Sequence, residues 1–170
     1  MEQSYAEVSV KRKRSIGSII LQALAVIVVL ILFFASMIGV RFAIVVLVAA
    51  GAALLWFWPR FKTEWEYVFC DGQLDFDKIF GGERRKHILR LELEHVDVVA
   101  PLDSSRLDGY RHLAVKDFSS MMSGAKLYGI ATRLPNQEEK VLILFEPNER
   151  MIDMMYAKRP NVVEKGTYGL

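Results

Sequence analysis

The stretch Gly81-Gly82-Glu83-Arg84-Arg85-Lys86-His87 sets five consecutive ionisable residues behind a glycine pair. Arg84, Arg85 and Lys86 are three successive cations with a glycine pair just ahead. Arginine offers a planar fork of donors and lysine a point charge, so this is a composition that can hold phosphate. Beside an anionic bilayer each such cation is worth about 1 kcal/mol. The same residues also fit a solvated turn between two strands, with charges paired across the sheet to Glu92, Glu94 or Asp77. The residues alone leave both readings open.

Other reactive groups are sparser. Asp71, Asp75 and Asp77 alternate like cation ligands, but Lys78, Ile79 and Phe80 break the spacing that a calcium loop needs. His87, His95 and His112 fall on separate segments. Cys70 is the lone cysteine, so no internal disulfide exists. Ser119, Ser120 and Ser123 lack the strand-to-helix elbow of a serine nucleophile. The expectation is no catalytic residue, no metal site and no cofactor. Nucleic acid is not expected either, because Glu64, Glu66, Asp71, Asp75 and Asp77 would repel phosphates.

Where the basic turn points depends on the elements that hold it. The chain has 170 residues and is 52% hydrophobic, yet its net charge is only +2. The apolar residues are concentrated between Ile16 and Trp58. Ile16 to Met37 is apolar apart from Ser18, Gln22 and Ser36, and as a helix it would cover roughly 30 Å, the thickness of a hydrocarbon core. Phe42 to Trp58 carries no ionisable side chain. Four residues, Ile38 to Arg41, separate the two runs. A two-helix transmembrane hairpin over residues 16–58 is the simplest reading. A cleaved signal peptide competes with it, because Lys11 to Arg14 resemble a basic leader, but the first run is long for one and a second follows directly. No ionisable residue lies within either run, which disfavours a transport pathway.

Basic residues fix the expected orientation. Lys11, Arg12, Lys13 and Arg14 precede the first helix, and Arg60 and Lys62 follow the second; the connecting turn offers Arg41 alone. The positive-inside rule then puts both termini in the cytoplasm of a multi-pass plasma-membrane protein. Trp56 and Trp58, with Trp65 beyond them, suit an aromatic belt at the interface. Ala49 and Ala53 make a small-xxx-small pair, which permits close packing within the hairpin or between copies in a homo-oligomer.

The remaining residues change period. Thr63 to Cys70 alternates Trp65, Tyr67 and Phe69 against Glu64, Glu66 and Val68, and Asp71-Gly72 is a hairpin signal. Gln73 to Phe80, Arg85 to Glu94, His95 to Pro101, His112 to Ser120, Lys126 to Arg133 and Lys140 to Glu146 follow as strands. Ile88, Leu91 and Leu93 are expected to share the apolar face of the third. A polar loop spans Leu102 to Arg111. A helix begins near Pro147, capped by Glu146 or by the nearby Asn148, and Met151, Ile152, Met154 and Met155 give it an apolar face. About seven strands in two sheets with one C-terminal helix is a mainly-β, PH-like architecture.

Tyr67, Phe69, Asp71, Gly72, Leu74, Phe76 and Lys78, followed by Val96 and Val98, resemble the strand pair and following strands of bacterial PH-like membrane proteins. The whole chain, including Leu144 to Met155, is similar to a family of small two-helix membrane proteins of Gram-positive anaerobes. The resemblance implies a fold and supplies no catalytic residue. In eukaryotic PH domains the phosphoinositide site mostly involves the first hairpin loop. Taken here as Cys70 to Gln73, that loop is acidic.

The expected organisation is a basic cytoplasmic segment 1–15, the hairpin 16–58, a PH-like domain 62–160 and a loose tail 161–170. The expected function is a membrane-anchored binding or scaffolding domain, not an enzyme, with the bilayer and an unidentified protein as partners. The alternatives are an anionic-lipid sensor acting through the basic turn, and a subunit of a membrane enzyme or transporter.

Overall fold

The computed structural model describes residues 5–39, 41–58, 62–82, 84–134 and 137–166 of the chain. Two apolar helices, α1 (Ile16–Met37) and α2 (Arg41–Phe57), match the expected limits to within a residue. α2 packs back on α1, and Gly39 at the turn has φ +92°, a conformation that suits a residue without Cβ. Ile19, Leu24, Ile31 and Phe34 of α1, and Val45, Val48 and Leu55 of α2, are exposed. Contiguous apolar surface of this extent calls for a cover other than water. α1 is long and apolar enough to cross a membrane, whereas the apolar part of α2, Phe42–Phe57, is shorter.

The seven expected strands are present: β2 (Thr63–Cys70), β3 (Gln73–Phe80), β4 (Arg84–Glu92), β5 (Val96–Pro101), β6 (Ala114–Asp117), β7 (Tyr128–Arg133) and β8 (Lys140–Phe145). An eighth precedes them. β1 (Tyr5–Lys11) lies in the segment read as a basic arm and corrects that reading. It pairs antiparallel with β2, from Tyr5 opposite Cys70 to Lys11 opposite Glu64. Ala6 is buried, and Val8 and Val10 pack on the core. The signal was the alternation of these three residues with Glu7, Ser9 and Lys11.

The first sheet has the order β1-β2-β3-β4 and the second β5-β7-β8-β6, with β6 parallel to β8. Inward residues of β2 and β3 (Trp65, Tyr67, Phe69, Leu74 and Phe76) share one core with Val141, Ile143 and Phe145 of β8. At its centre Tyr67, Phe76 and Phe145 meet edge to face, with ring centroids 5.5–5.9 Å apart, the arrangement that aromatic quadrupoles favour. α3 (Glu149–Lys158) adds Met151, Ile152 and Met155 to this core. Its N-cap is Asn148, whose Oδ1 accepts from the Met151 amide at 2.8 Å. Pro147 therefore precedes the cap instead of opening the helix, and Glu146 accepts the Ser120 amide at 2.5 Å.

Two further expectations change. Phe76 faces Leu89 and Asp77 faces His87, so Ile88 bulges from β4 without an opposite partner. It is exposed, and the inward face continues through Leu89 and Leu91 instead. The C-terminal segment is docked as far as Gly166: Val162 and Val163 are buried, and the Val99 backbone bonds to Val162 and Glu164 at 2.9 and 2.8 Å.

Because β1 leads into α1 and β2 leads away from α2, the helices are an insertion between neighbouring strands of one sheet. They define its helix-proximal end. Phe80 lies opposite both Thr63 and Arg84, so the β3–β4 turn sits at that same end. The Asp71-Gly72 turn lies at the other end, where Lys158 of α3 holds Asp71 at 2.8 Å. The first connection of this sheet is thus the helix pair, and the acidic Cys70–Gln73 turn is the second.

Candidate anion-binding site at the helix-proximal end

The basic cluster divides between the two faces of the sheet, because successive strand residues point to opposite sides. In the β3–β4 register Arg85 is opposite Ile79, whereas Arg84 and Lys86 are opposite Phe80 and Lys78. Arg85 forms an ion pair with Glu66 and approaches Asp77 at 3.8 Å. Asp77 was an expected partner and Glu66 was not. His87 Nδ1 lies 2.9 Å from Asp77 Oδ1, and Arg90 forks onto Asp75 at 2.6 and 2.7 Å. On this outer face the paired-charge reading describes the residues well.

The other face is different. Lys78 shares the face of Trp65, its opposite residue in β2. Its Nζ stands 5.4 Å from the Trp65 ring centroid and 4.8 Å from that of Phe80. Arg12 follows β1, is held by a bond from its amide to the Thr63 carbonyl at 2.9 Å, and brings its guanidinium 5.7 Å from the Trp65 centroid. Lys86 is opposite Lys78. Arg12, Lys78, Arg84 and Lys86 make no ion pair with any described residue.

Electrostatics reflect this crowding. Burial holds the Lys78 ammonium below its ordinary pKa, and the neighbouring charges of Arg12 and Lys86 lower it further. Cation–π contact with Trp65 offsets part of that cost. Trp65 is itself buried, with 5% of its surface exposed; it belongs to the core and not to an interfacial belt. Its indole N–H has no hydrogen-bond partner among the described residues. Buried donors usually have one. Arg12 and Lys78 meet at this ring and Lys86 lies across from Lys78, so three cations with no carboxylate paired to them make a surface that can receive an anion bearing several oxygens.

Carboxylates concentrate on the outer face. Glu66 and Asp77 are both buried. Burial raises the pKa of Glu66, and a hydrogen bond that its protonated carboxyl donates to Glu7 adds to the rise. Glu7 is lowered, first by the Tyr5 hydroxyl and then by Glu66. No sequence signal marked Glu66, because its burial depends on β1 and β3 flanking it.

The remaining expected residues fall as follows. Lys11, Lys13, Arg14 and Lys62 are exposed beside the helix ends, as are Trp56 and Trp58. Arg60 and the side chain of Arg41 lie outside the described residues. Cys70 is an exposed thiol. His95 pairs with Glu92 at 3.2 Å, and His112 lies on the loop before β6. Ser119 and Ser120 are buried, with their hydroxyls accepting the Met121 and Met122 amides.

No curated protein and no solved structure matches the chain. One family does, described as a bacterial PH-like domain (DUF6106), over residues 2–165, a span that includes β1, both helices, both sheets and α3.

Proposed function

The chain belongs to this bacterial PH-like family, and from that premise we propose that it is a membrane-anchored domain that holds an anionic headgroup at the end of its sheet nearest the helices. The observation that carries the reading is the meeting of Arg12 and Lys78 at the Trp65 ring, with Lys86 across from Lys78, one short connection away from α1 and α2. Arg84 on the same face of β4 adds charge toward the turn. Each cation near an anionic leaflet contributes about 1 kcal/mol.

The anchor is the pair α1 and α2, both crossing the bilayer. Cleavage after α1 would remove β1, and with it a core residue, Ala6, so a leader-peptide role fits the chain poorly. Lys11, Lys13, Arg14 and Lys62 collect on one side of the helices, which under the positive-inside rule supports a cytoplasmic position for both termini and the domain. No catalytic role is proposed. A protein partner adding a strand to β4 has weaker support, because the Ile88 bulge and the cations along that edge both discourage pairing.

The test uses the full-length protein in phosphatidylcholine vesicles doped with spin-labelled phosphatidylglycerol or spin-labelled phosphatidylcholine. The expected result is a larger motionally restricted fraction for the anionic lipid, shrinking as salt rises. Lys78→Gln with Lys86→Gln should remove the preference, and Arg85→Gln should leave it. Competition by soluble inorganic phosphate would show the ligand to be a free anion. Equal fractions for both lipids would sink the reading.

A further inference from the structure

The segment after β6, Phe118 to Ala125, carries two exposed methionines at the helix-proximal end. Met121 is 50% exposed and Met122 55%. Their position is set by the chain that enters the membrane helix: the Lys13 amide donates to the Ser120 carbonyl at 2.7 Å, and Arg12 Nη2 lies 3.5 Å from Met121 Sδ. Three residue steps separate Lys13 from Ile16, the start of α1. Fully extended, they span at most about 10 Å. Lys13 is therefore within about 10 Å of the level at which the apolar helix begins, comparable with the depth of the interfacial layer, and the Ser120 carbonyl is one hydrogen bond further.

The loop is built to show side chains and to hide its amides. The Ser119 amide donates to Asp117 Oδ1 at 2.8 Å and the Ser120 amide to Glu146 Oε1 at 2.5 Å. The Met121 and Met122 amides donate to the hydroxyls of Ser119 and Ser120 at 3.2 and 3.1 Å. Four successive N–H groups thus find acceptors within the domain, as backbone must when water is scarce. Met121 also holds φ +58°, which a non-glycine residue adopts only when its surroundings impose it. The side chains so presented are flexible, polarisable and apolar.

We infer that Met121 and Met122 bed in the lipid interface beside the start of α1, as an apolar foot that fixes the tilt of the domain against the bilayer. The inference rests on α1 crossing the membrane, and it is independent of headgroup binding. The occupant is lipid, because the continuous backbone from Lys13 to α1 and the neighbouring cations Arg12, Lys13 and Arg14 all belong to a membrane-surface environment.

Cys70 is the lone cysteine, so a Cys70→Ser background allows single nitroxide labels on the full chain in liposomes. Labels at Met121→Cys and Met122→Cys are compared with Ile27→Cys in α1 and His112→Cys in the loop before β6. The ratio of oxygen to aqueous nickel-chelate accessibility should be highest at 27, intermediate at 121 and 122, and lowest at 112. Ratios at 121 and 122 equal to that at 112, with 27 still shielded from chelate, would overturn the foot and spare the membrane anchor. An aqueous ratio at 27 would overturn both. Labels at 121 and 122 shielded from both reagents would assign the patch to a protein contact and also overturn the inference.

Discussion

The amide of Gly81 donates to the carbonyl of Lys62 at 2.9 Å, so the basic turn and the chain leaving α2 are one hydrogen bond apart. The turn lies at the end of the sheet where the helices are inserted. Four consequences can be measured.

The turn depends on glycine for its backbone alone. Gly82 has φ +79°, and a Cβ there would meet no atom within 4 Å. Gly82→Ala should therefore cost only the left-handed penalty, about 1 kcal/mol, seen as a lower melting temperature in detergent. An unchanged melting temperature would show that the turn relaxes without loss.

Lys78 trades stability for charge. Its pKa is lowered by burial and by the neighbouring cations Arg12 and Lys86, so the folded state holds the proton less tightly than the unfolded chain. Stability should therefore rise with pH between the lowered folded pKa and the ordinary lysine value. Lys78→Met should raise stability at neutral pH by ~0.5 kcal/mol while reducing the anionic-lipid preference. Denaturant titration beside the lipid assay separates the two effects; a Met variant less stable than the parent would contradict the account.

Glu66 has the opposite pH signature to an ordinary ion-paired carboxylate. Its folded pKa lies above its unfolded value, so the stability it contributes is present at acid pH and is lost as pH rises through the folded pKa. Glu66→Gln mimics the protonated form. The variant should gain most, relative to the parent, near neutral pH, and the gain should vanish as pH falls below the ordinary carboxylate range. A gain that grew on acidification would mean that the Arg85 pairing dominates instead.

β1 makes the helices excisable. Lys11 and Glu64 are paired residues, about 5 Å apart as antiparallel neighbours are. Replacing residues 14–61 with a short Gly-Asn-Gly turn should yield a domain that melts cooperatively without detergent. The fragment 62–170 lacks β1 and exposes the unpaired edge of β2, so it should aggregate or melt without cooperativity. Light scattering and thermal melts decide; a well-folded 62–170 fragment would make β1 dispensable.

How much of this could be read from the chain follows the range of the interactions. The limits of α1, strands β2 to β8 and the Asp71-Gly72 and Gly81-Gly82 turns come from local periodicity and turn chemistry, which neighbours in sequence determine almost alone. The two-sheet, one-helix architecture and the family resemblance followed from those elements. β1 escaped because its partner strand lies beyond both helices, and the basic run Lys11 to Arg14 drew the reading toward a membrane-flanking arm. Only the tertiary structure placed Arg12 beside Lys78, residues separated in sequence by the whole helical insertion. It alone buried Glu66 between strands and turned Arg85 away from Arg84 and Lys86. Alternation implied that division, but which face lay inside depended on the pairing register. Sequence decided where the chain turns and what it hides from water; the long-range strand pairing decided which charges meet.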